Sequence, residues 1–225
     1  MLAHRTALAQ AVDVPQAYRH GPKSMAYAKS AVSSQQIIDA AIRVLARQGY
    51  AKTSLLDIAK EAGMSKGALH YHYPTKDALI HAVLETACNV VQARTVQAWS
   101  PSDNPFEALR KSLQELWATR AERTDEALVV ADLLALSLYD EALRPKLAEF
   151  YELGAKQIRE YLEHNLLSLG LEPRIPLDML PRIVIGLLDG LVMQAFVDPD
   201  AFSPDQVVDA VQTIAISIFT RGSGN

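Results

Sequence analysis

The chain has 225 residues, 49% of them apolar and 21% charged, with a formal net charge of −4. That is enough chain to bury one large core or two small ones, and the composition excludes repeat, low-complexity and disordered classes. A single cysteine, Cys88, excludes a disulfide framework or a cysteine-rich zinc site within one chain and fits a reducing, cytoplasmic setting.

The net charge hides an uneven distribution. Residues 1–77 carry ten Lys/Arg against five Asp/Glu, while the rest of the chain is acidic. A basic first third on an acidic body predicts that one end faces a polyanion while the other stays clear of it.

In chain order, residues 1–32 read as a flexible arm. Pro15, Gly21 and Pro22 interrupt them, periodicity is weak, and Arg5, Arg19, Lys23 and Lys29 stand against Asp13 alone. The continuous apolar stretch of a secretory signal is not seen there. From Ser33 the spacing of Ile37, Ile38, Ala41, Ile42 and Leu45 predicts a first helix that Gly49 stops. Ser54, with Asp57 three residues on, predicts a capped second helix closed by Gly63. Ser65 caps a third, which Pro74 ends, and Thr75 caps a long fourth reaching about Ala98. Helical patterns follow at 106–121, 125–139, 144–169, 177–197 and 204–220, with no convincing strand, so the expected fold is all-α. The most apolar stretch, 179–197, contains Pro181, Arg182, Asp189 and Gln194, and reads as a buried helix rather than a membrane span.

Two short helices joined by a glycine turn, the second started by a cap, predict a helix-turn-helix over residues 54–73. The tip of its second helix is Lys66, Gly67 and Ala68, small and basic. Small residues admit the backbone to base edges, and Lys66 can donate to guanine or to phosphate. Leu69 and Tyr73 share one helical face and are expected to pack inward, leaving His70 and Tyr71 outward. Tyr71, His72, Thr53 and Lys76 are suitable phosphate donors.

The run Thr53-Ser54-Leu55-Leu56-Asp57-Ile58-Ala59-Lys60-Glu61-Ala62-Gly63-Met64-Ser65-Lys66-Gly67-Ala68-Leu69-His70-Tyr71-His72-Tyr73-Pro74-Thr75-Lys76, preceded by Gly49-Tyr50, resembles the N-terminal signature of the TetR (tetracycline repressor-like) family. The similarity spans roughly residues 33–84. It implies a three-helix DNA-binding domain at 33–78 and a larger helical domain at 79–225 that dimerises and takes a small effector. By matching position it also implies DNA contacts from Thr53, Lys66, Ala68, His70, Tyr71, His72 and Lys76. Leu56 stands where the family often has a polar or basic residue, Ala68 where it often has threonine and His70 where it often has tyrosine. Those departures imply a different operator preference, with DNA binding retained.

The remaining constellations are weaker. His70 and His72 are two apart on a helix, about 200° around its axis, and cannot ligate one metal ion together. No Gly-rich phosphate loop, nucleophile elbow or Cys/His metal spacing appears, so neither a cofactor, a metal nor an enzymatic role is expected. Ile183, Leu187, Gly190, Leu191 and Gln194 form one stripe of the eighth helix, and Val207, Val211, Ile214, Ala215 and Ile218 one of the ninth. Both stripes are expected at a homodimer interface, a four-helix bundle between subunits that sets two recognition helices on near-palindromic double-stranded operator DNA. Gly186 and Gly190 suit close helix approach there. Trp117, Leu133, Tyr139, Phe150, Tyr151, Met193 and Phe196 are candidates to line an effector cavity among helices four to eight. No cluster of buried charge is evident among them, which points to an apolar or aromatic effector whose binding releases a repressor from its operator. The alternative is a DNA-organising or cell-cycle interaction protein that uses the same fold without an effector.

Overall fold

The computed structural model describes residues 22–98 and 104–221. Among the described residues the chain is all-α but for one small ribbon. The helices are α1 Pro22–Gln48, α2 Leu55–Glu61, α3 Lys66–His72, α4 Lys76–Ala98, α5 Pro105–Ala121, α6 Asp125–Leu136, α7 Arg144–Asn165, α8 Met179–Val197 and α9 Pro204–Ser217. Helix starts follow the local chemistry. Ser54, Ser65, Asn104, Thr124 and Ser203 each accept a bond from an amide of the first turn, and Ser54–Asp57 and Ser203–Gln206 are reciprocal capping boxes.

Several boundaries differ from the sequence expectation, among them the end of α6 at Leu136 instead of 139 and the start of α8 at Met179 instead of 177. The first helix starts at Pro22, not Ser33. Proline is tolerated in a first turn, and the alanine- and lysine-rich residues after it are good helix formers, so the helix runs through Ser33 and Ser34. The flexible arm expected over 1–32 is thus helical from 22 onward, and residues 1–21 lie outside the described residues. The seventh helix stops at Asn165, where a 3-10 turn at Leu167–Leu169 ends on Gly170 at φ +73°. The chain then enters β1 (Leu171–Pro173), which pairs antiparallel with β2 (Phe219–Arg221), Glu172 opposite Thr220. The ribbon takes the place of the last turn expected of the ninth helix.

The apolar interior forms two clusters. One joins Ile37, Ala41, Val44, Ile58, Leu69, Leu79 and Leu84 of the N-terminal helices to Val129 and Leu133 of α6 and Leu143 and Leu147 at the start of α7. The other joins α5, the rest of α7, α8 and α9 through Leu113, Leu116, Trp117, Ile158, Leu162, Leu188, Val208 and Val211. The N-terminal helices therefore share one core with α6, which is inserted between them and the rest of the body. Helix α8 is long and apolar enough to cross a membrane by length and composition. It carries Pro181, Arg182 and Asp189 and packs against α5, α7 and α9.

Candidate nucleic-acid interface and adjoining cavity

The helix-turn-helix is built by short-range bonds. Ser65 Oγ accepts the Ala68 amide at 3.1 Å, fixing the first turn of α3. Gly63, at φ +65°, makes the turn from α2, in a left-handed conformation that a side chain would strain. Gln36 of α1 donates to the Ala62 carbonyl at 2.8 Å and ties this turn to the first helix. Leu69 is fully buried, and the Tyr73 and Ser34 hydroxyls lie 2.7 Å apart, so α3 is anchored on one side. Its other side is open. Lys66, Gly67, Ala68 and His70 are exposed, and Tyr71 is 82% exposed with its ring edge-on to half-buried His72. A cationic, hydrogen-bonding face of this kind, backed by a fixed helix, suits the phosphates and base edges of a DNA groove.

Two of the expected contact residues sit differently. Thr53 is only 4% exposed, and its hydroxyl donates to the Gly49 carbonyl at 2.7 Å, so its side chain holds the loop instead of facing outward. Lys76 is half-buried. Its ammonium donates to the Tyr50 carbonyl at 3.0 Å and lies 3.8 Å from the Tyr50 ring centroid. Burial pulls its pKa below the usual lysine value, and nearby Asp77 and Asp132 pull it back in part. Leu56, by contrast, is 47% exposed on α2, where it offers apolar surface at the position the family often gives a polar group.

A cavity of about 120 Å³ lies between α4, α5, α6, α7 and α8. Four of the residues expected there line it: Phe150, Tyr151, Met193 and Phe196. The other three do not. Trp117 packs its ring 6.2 Å from that of Phe202 in the second core cluster. Leu133 is turned to the opposite face of α6, within the core of the N-terminal helices. Tyr139 is 89% exposed beyond the end of α6. A large apolar or aromatic side chain in the right stretch of sequence is not enough, because adjacent positions on a helix point about 100° apart.

One feature of the cavity contradicts the absence of charge that the sequence suggested. Arg120 Nε donates to Asp189 Oδ1 at 2.8 Å and the Tyr151 hydroxyl donates to Asp189 Oδ2 at 3.2 Å, all three residues lying on the cavity wall. Arg120 also donates to the Leu116 carbonyl at 3.1 Å. The side chains are 14% and 33% exposed for Arg120 and Asp189, a largely desolvated pair from helices 69 residues apart in sequence. Burial, with Asp189 adding to it, pushes the Tyr151 hydroxyl far above its ordinary value, so it stays a donor. Sequence periodicity could not find this trio, since its members come from α5, α7 and α8. Cys88, behind it on α4, is buried with its thiol pushed up to about 11 by desolvation.

The expected dimer residues divide between the two helices. On α8, Ile183, Leu187 and Leu191 are half-covered and Gly190 and Gln194 exposed, next to exposed Met179, Gly186, Met193 and Val197. A Cβ added at Gly186 or Gly190 would meet nothing within 4 Å, so the space over these two glycines is open among the described residues, while Leu187 and Leu191 lean in part on the second core cluster. On α9, however, Val207, Val211 and Ala215 are buried in the subunit's own core, leaving Ile214 (42% exposed) and half-covered Ile218 from the expected set. Both sides of α9 carry apolar residues, and the body claims the richer one.

Comparison with known proteins agrees with this geometry. Residues 37–83 match the profile of bacterial regulatory proteins of the tetR family, and residues 105–219 match that of the BetI-type transcriptional repressor C-terminal domain. The regulator LmrA of Bacillus subtilis is 32% identical over 136 residues, covering 59% of this chain and 72% of its own. The nucleoid occlusion factor SlmA of Marinobacter nauticus is 29% identical over 140 residues, 62% of this chain and 71% of its own. The B. subtilis regulator YuxN is 35% identical over 89 residues, which span only 31% of its length. Among solved structures, a transcriptional regulator from Saccharomonospora viridis in complex with choline superposes with a TM-score of 0.72 at 22% identity, over 85% of this chain and all of that one. The exposed α3 face on a buried anchor, the helical body and these matches together place the chain in the TetR family of DNA-binding transcriptional regulators.

Proposed function

We propose that this protein is a homodimeric, cytoplasmic repressor that leaves a near-palindromic operator when a small molecule occupies the cavity between α4 and α8. The observation that carries the reading is the exposed face of α3, on which Lys66, Ala68, His70 and Tyr71 stand free while Leu69 and Tyr73 hold the helix from behind. A second copy covers the open α8 stripe, since two subunits are needed to set recognition helices about 34–36 Å apart, one helical turn of DNA. The cavity is close in size to the roughly 150 Å³ that holds benzene in an engineered protein core. Its mostly apolar wall and single polar end suit a compact, largely apolar molecule that hydrogen-bonds at Arg120, Tyr151 or Asp189. No catalytic role is assigned.

Selecting bound fragments from the host genome and measuring their affinity across a salt series tests the reading. A palindromic consensus and a steep fall of affinity with salt are expected, because phosphate neutralisation releases counterions. Tyr71→Ala should weaken binding to all duplexes alike and leave stability within about 0.5 kcal/mol of the parent. Flat salt dependence would sink the proposal. The likeness to the nucleoid occlusion factor SlmA supports a second reading, a DNA-organising protein that needs no effector. That reading wins if no compound class alters operator affinity while a protein partner does.

A further inference from the structure

Helix α6 has two working faces. Ala127, Val130, Ala131 and Leu134 line the cavity. Val129 and Leu133 are buried among the N-terminal helices. Between them Asp132 reaches across 82 positions of sequence to accept the Tyr50 backbone N–H at 2.6 Å. Tyr50 is the exit of α1 and leads directly into the helix-turn-helix. Its carbonyl, in turn, accepts from Lys76 at the start of α4, the helix that carries Val91 on the cavity wall. The preceding residue, Gly49, sits at φ +75°, and a Cβ there would lie 3.7 Å from the Asp132 carboxylate. The Gly49 carbonyl is held by Thr53. Three side chains thus pinch one loop; Lys76 lies far along α4 from Val91, whereas Asp132 follows directly on Ala131, which lines the cavity.

We infer that Asp132 is the positioning residue through which occupation of the cavity reaches the DNA-reading helices. The inference rests on the ligand-released reading above and names the part that transmits it. A carboxylate bonded to a backbone amide is among the stronger and more directional contacts in a protein, so it fixes the loop to α6 while the cavity is empty. Helices at such junctions shift by about 1–2 Å when ligands bind. A displacement of that size takes a 2.6 Å bond to or past the limit of hydrogen bonding. The Gly49–Tyr50 exit is then free to reorient, and with it the angle at which α2 and α3 leave α1. Lys76, losing the facing carboxylate, holds the same peptide less firmly. The empty-cavity form is the DNA-competent one, and the ligand acts by its preference for the other.

A double-mutant cycle on the full-length protein tests this, with affinity for a genome-selected operator fragment as the readout. Val192→Phe, which projects a ring into the cavity from α8, serves as a built-in occupant; Val192 is 3% exposed and on the cavity wall. It should weaken operator binding by about 10-fold, within the range usual for allosteric coupling. Asp132→Ala should weaken operator binding several-fold by itself, and adding Val192→Phe to it should then cost no more than about 2-fold. Asp132→Asn keeps an acceptor for the Tyr50 amide and should restore most of the parent's response, which a general loss of packing would not do. An equal loss from Val192→Phe in both backgrounds, or an Asp132→Asn chain as unresponsive as Asp132→Ala, overturns the inference while leaving the ligand-released reading intact. A folded Val192→Phe chain with parental operator affinity overturns that reading and the coupling with it. If circular dichroism shows Val192→Phe to be unfolded, Ala127→Leu replaces it as occupant in the same cycle, with the same outcomes deciding.

Discussion

Polar side chains do different work in the DNA-reading head and around the cavity. In the head many of them hold main-chain groups: Ser54, Ser65 and Asp132 accept from backbone amides, and Gln36, Thr53 and Lys76 donate to backbone carbonyls, beside side-chain pairs such as Ser34–Tyr73 and Arg43–Glu61. At the cavity they chiefly hold one another, with Arg120 and Tyr151 both bonded to Asp189 and Arg120 also donating to the Leu116 carbonyl. A backbone fixed by its own side chains keeps one shape whatever approaches its surface. Side chains that satisfy each other can be re-paired by an incoming polar group without unfolding the helices that carry them. The head is therefore suited to rigid presentation of α3, and the cavity to exchange of partners.

The largest expected effect breaks the head. Leu69→Ala empties a fully buried position behind α3 and should cost about 2–5 kcal/mol. Denaturant unfolding would show it, together with loss of DNA binding. A stable Leu69→Ala chain would mean that the first core cluster is looser than its burial indicates. Next comes the cavity trio. Asp189→Ala leaves the Arg120 guanidinium without its carboxylate in a mostly desolvated place and should cost about 1–3 kcal/mol. Asp189→Asn, which keeps acceptor and shape, should cost less. If the two variants are equally stable, the charge of this pair matters little and the contrast with the head weakens. The smallest effect sharpens the comparison. Ser65→Ala removes one cap from α3 and should lower stability by about 1 kcal/mol, with a loss of DNA affinity out of proportion to that figure. Proportionate losses in both would show that α3 is held by packing alone.

Local bonding is legible in a short stretch of residues, and the direction a helix face turns is not. Ser54, Gly63 and Ser65 could be read from sequence because caps and left-handed turns are decided within a few residues. Leu133 and Leu134 are both apolar neighbours on α6, yet the first faces the head and the second the cavity. Composition cannot say which neighbour goes where. Val207, Val211 and Ile214 share one apolar stripe in the sequence, yet the body covers the first two and leaves the third open. Thr53 and Lys76 carry donors that DNA could use, but a nearer acceptor, the Gly49 or Tyr50 carbonyl, engages them.

By itself the sequence determined the elements whose energetics are local: capped helices, the glycine turn, the basic N-terminal third and, through them, the family. Tertiary structure alone decided the cavity wall, the Arg120–Asp189–Tyr151 trio and the reach of Asp132 to Tyr50. These depend on how helices far apart in the chain rotate against one another. That rotation is set by the packing of whole faces, which no short stretch of residues encodes.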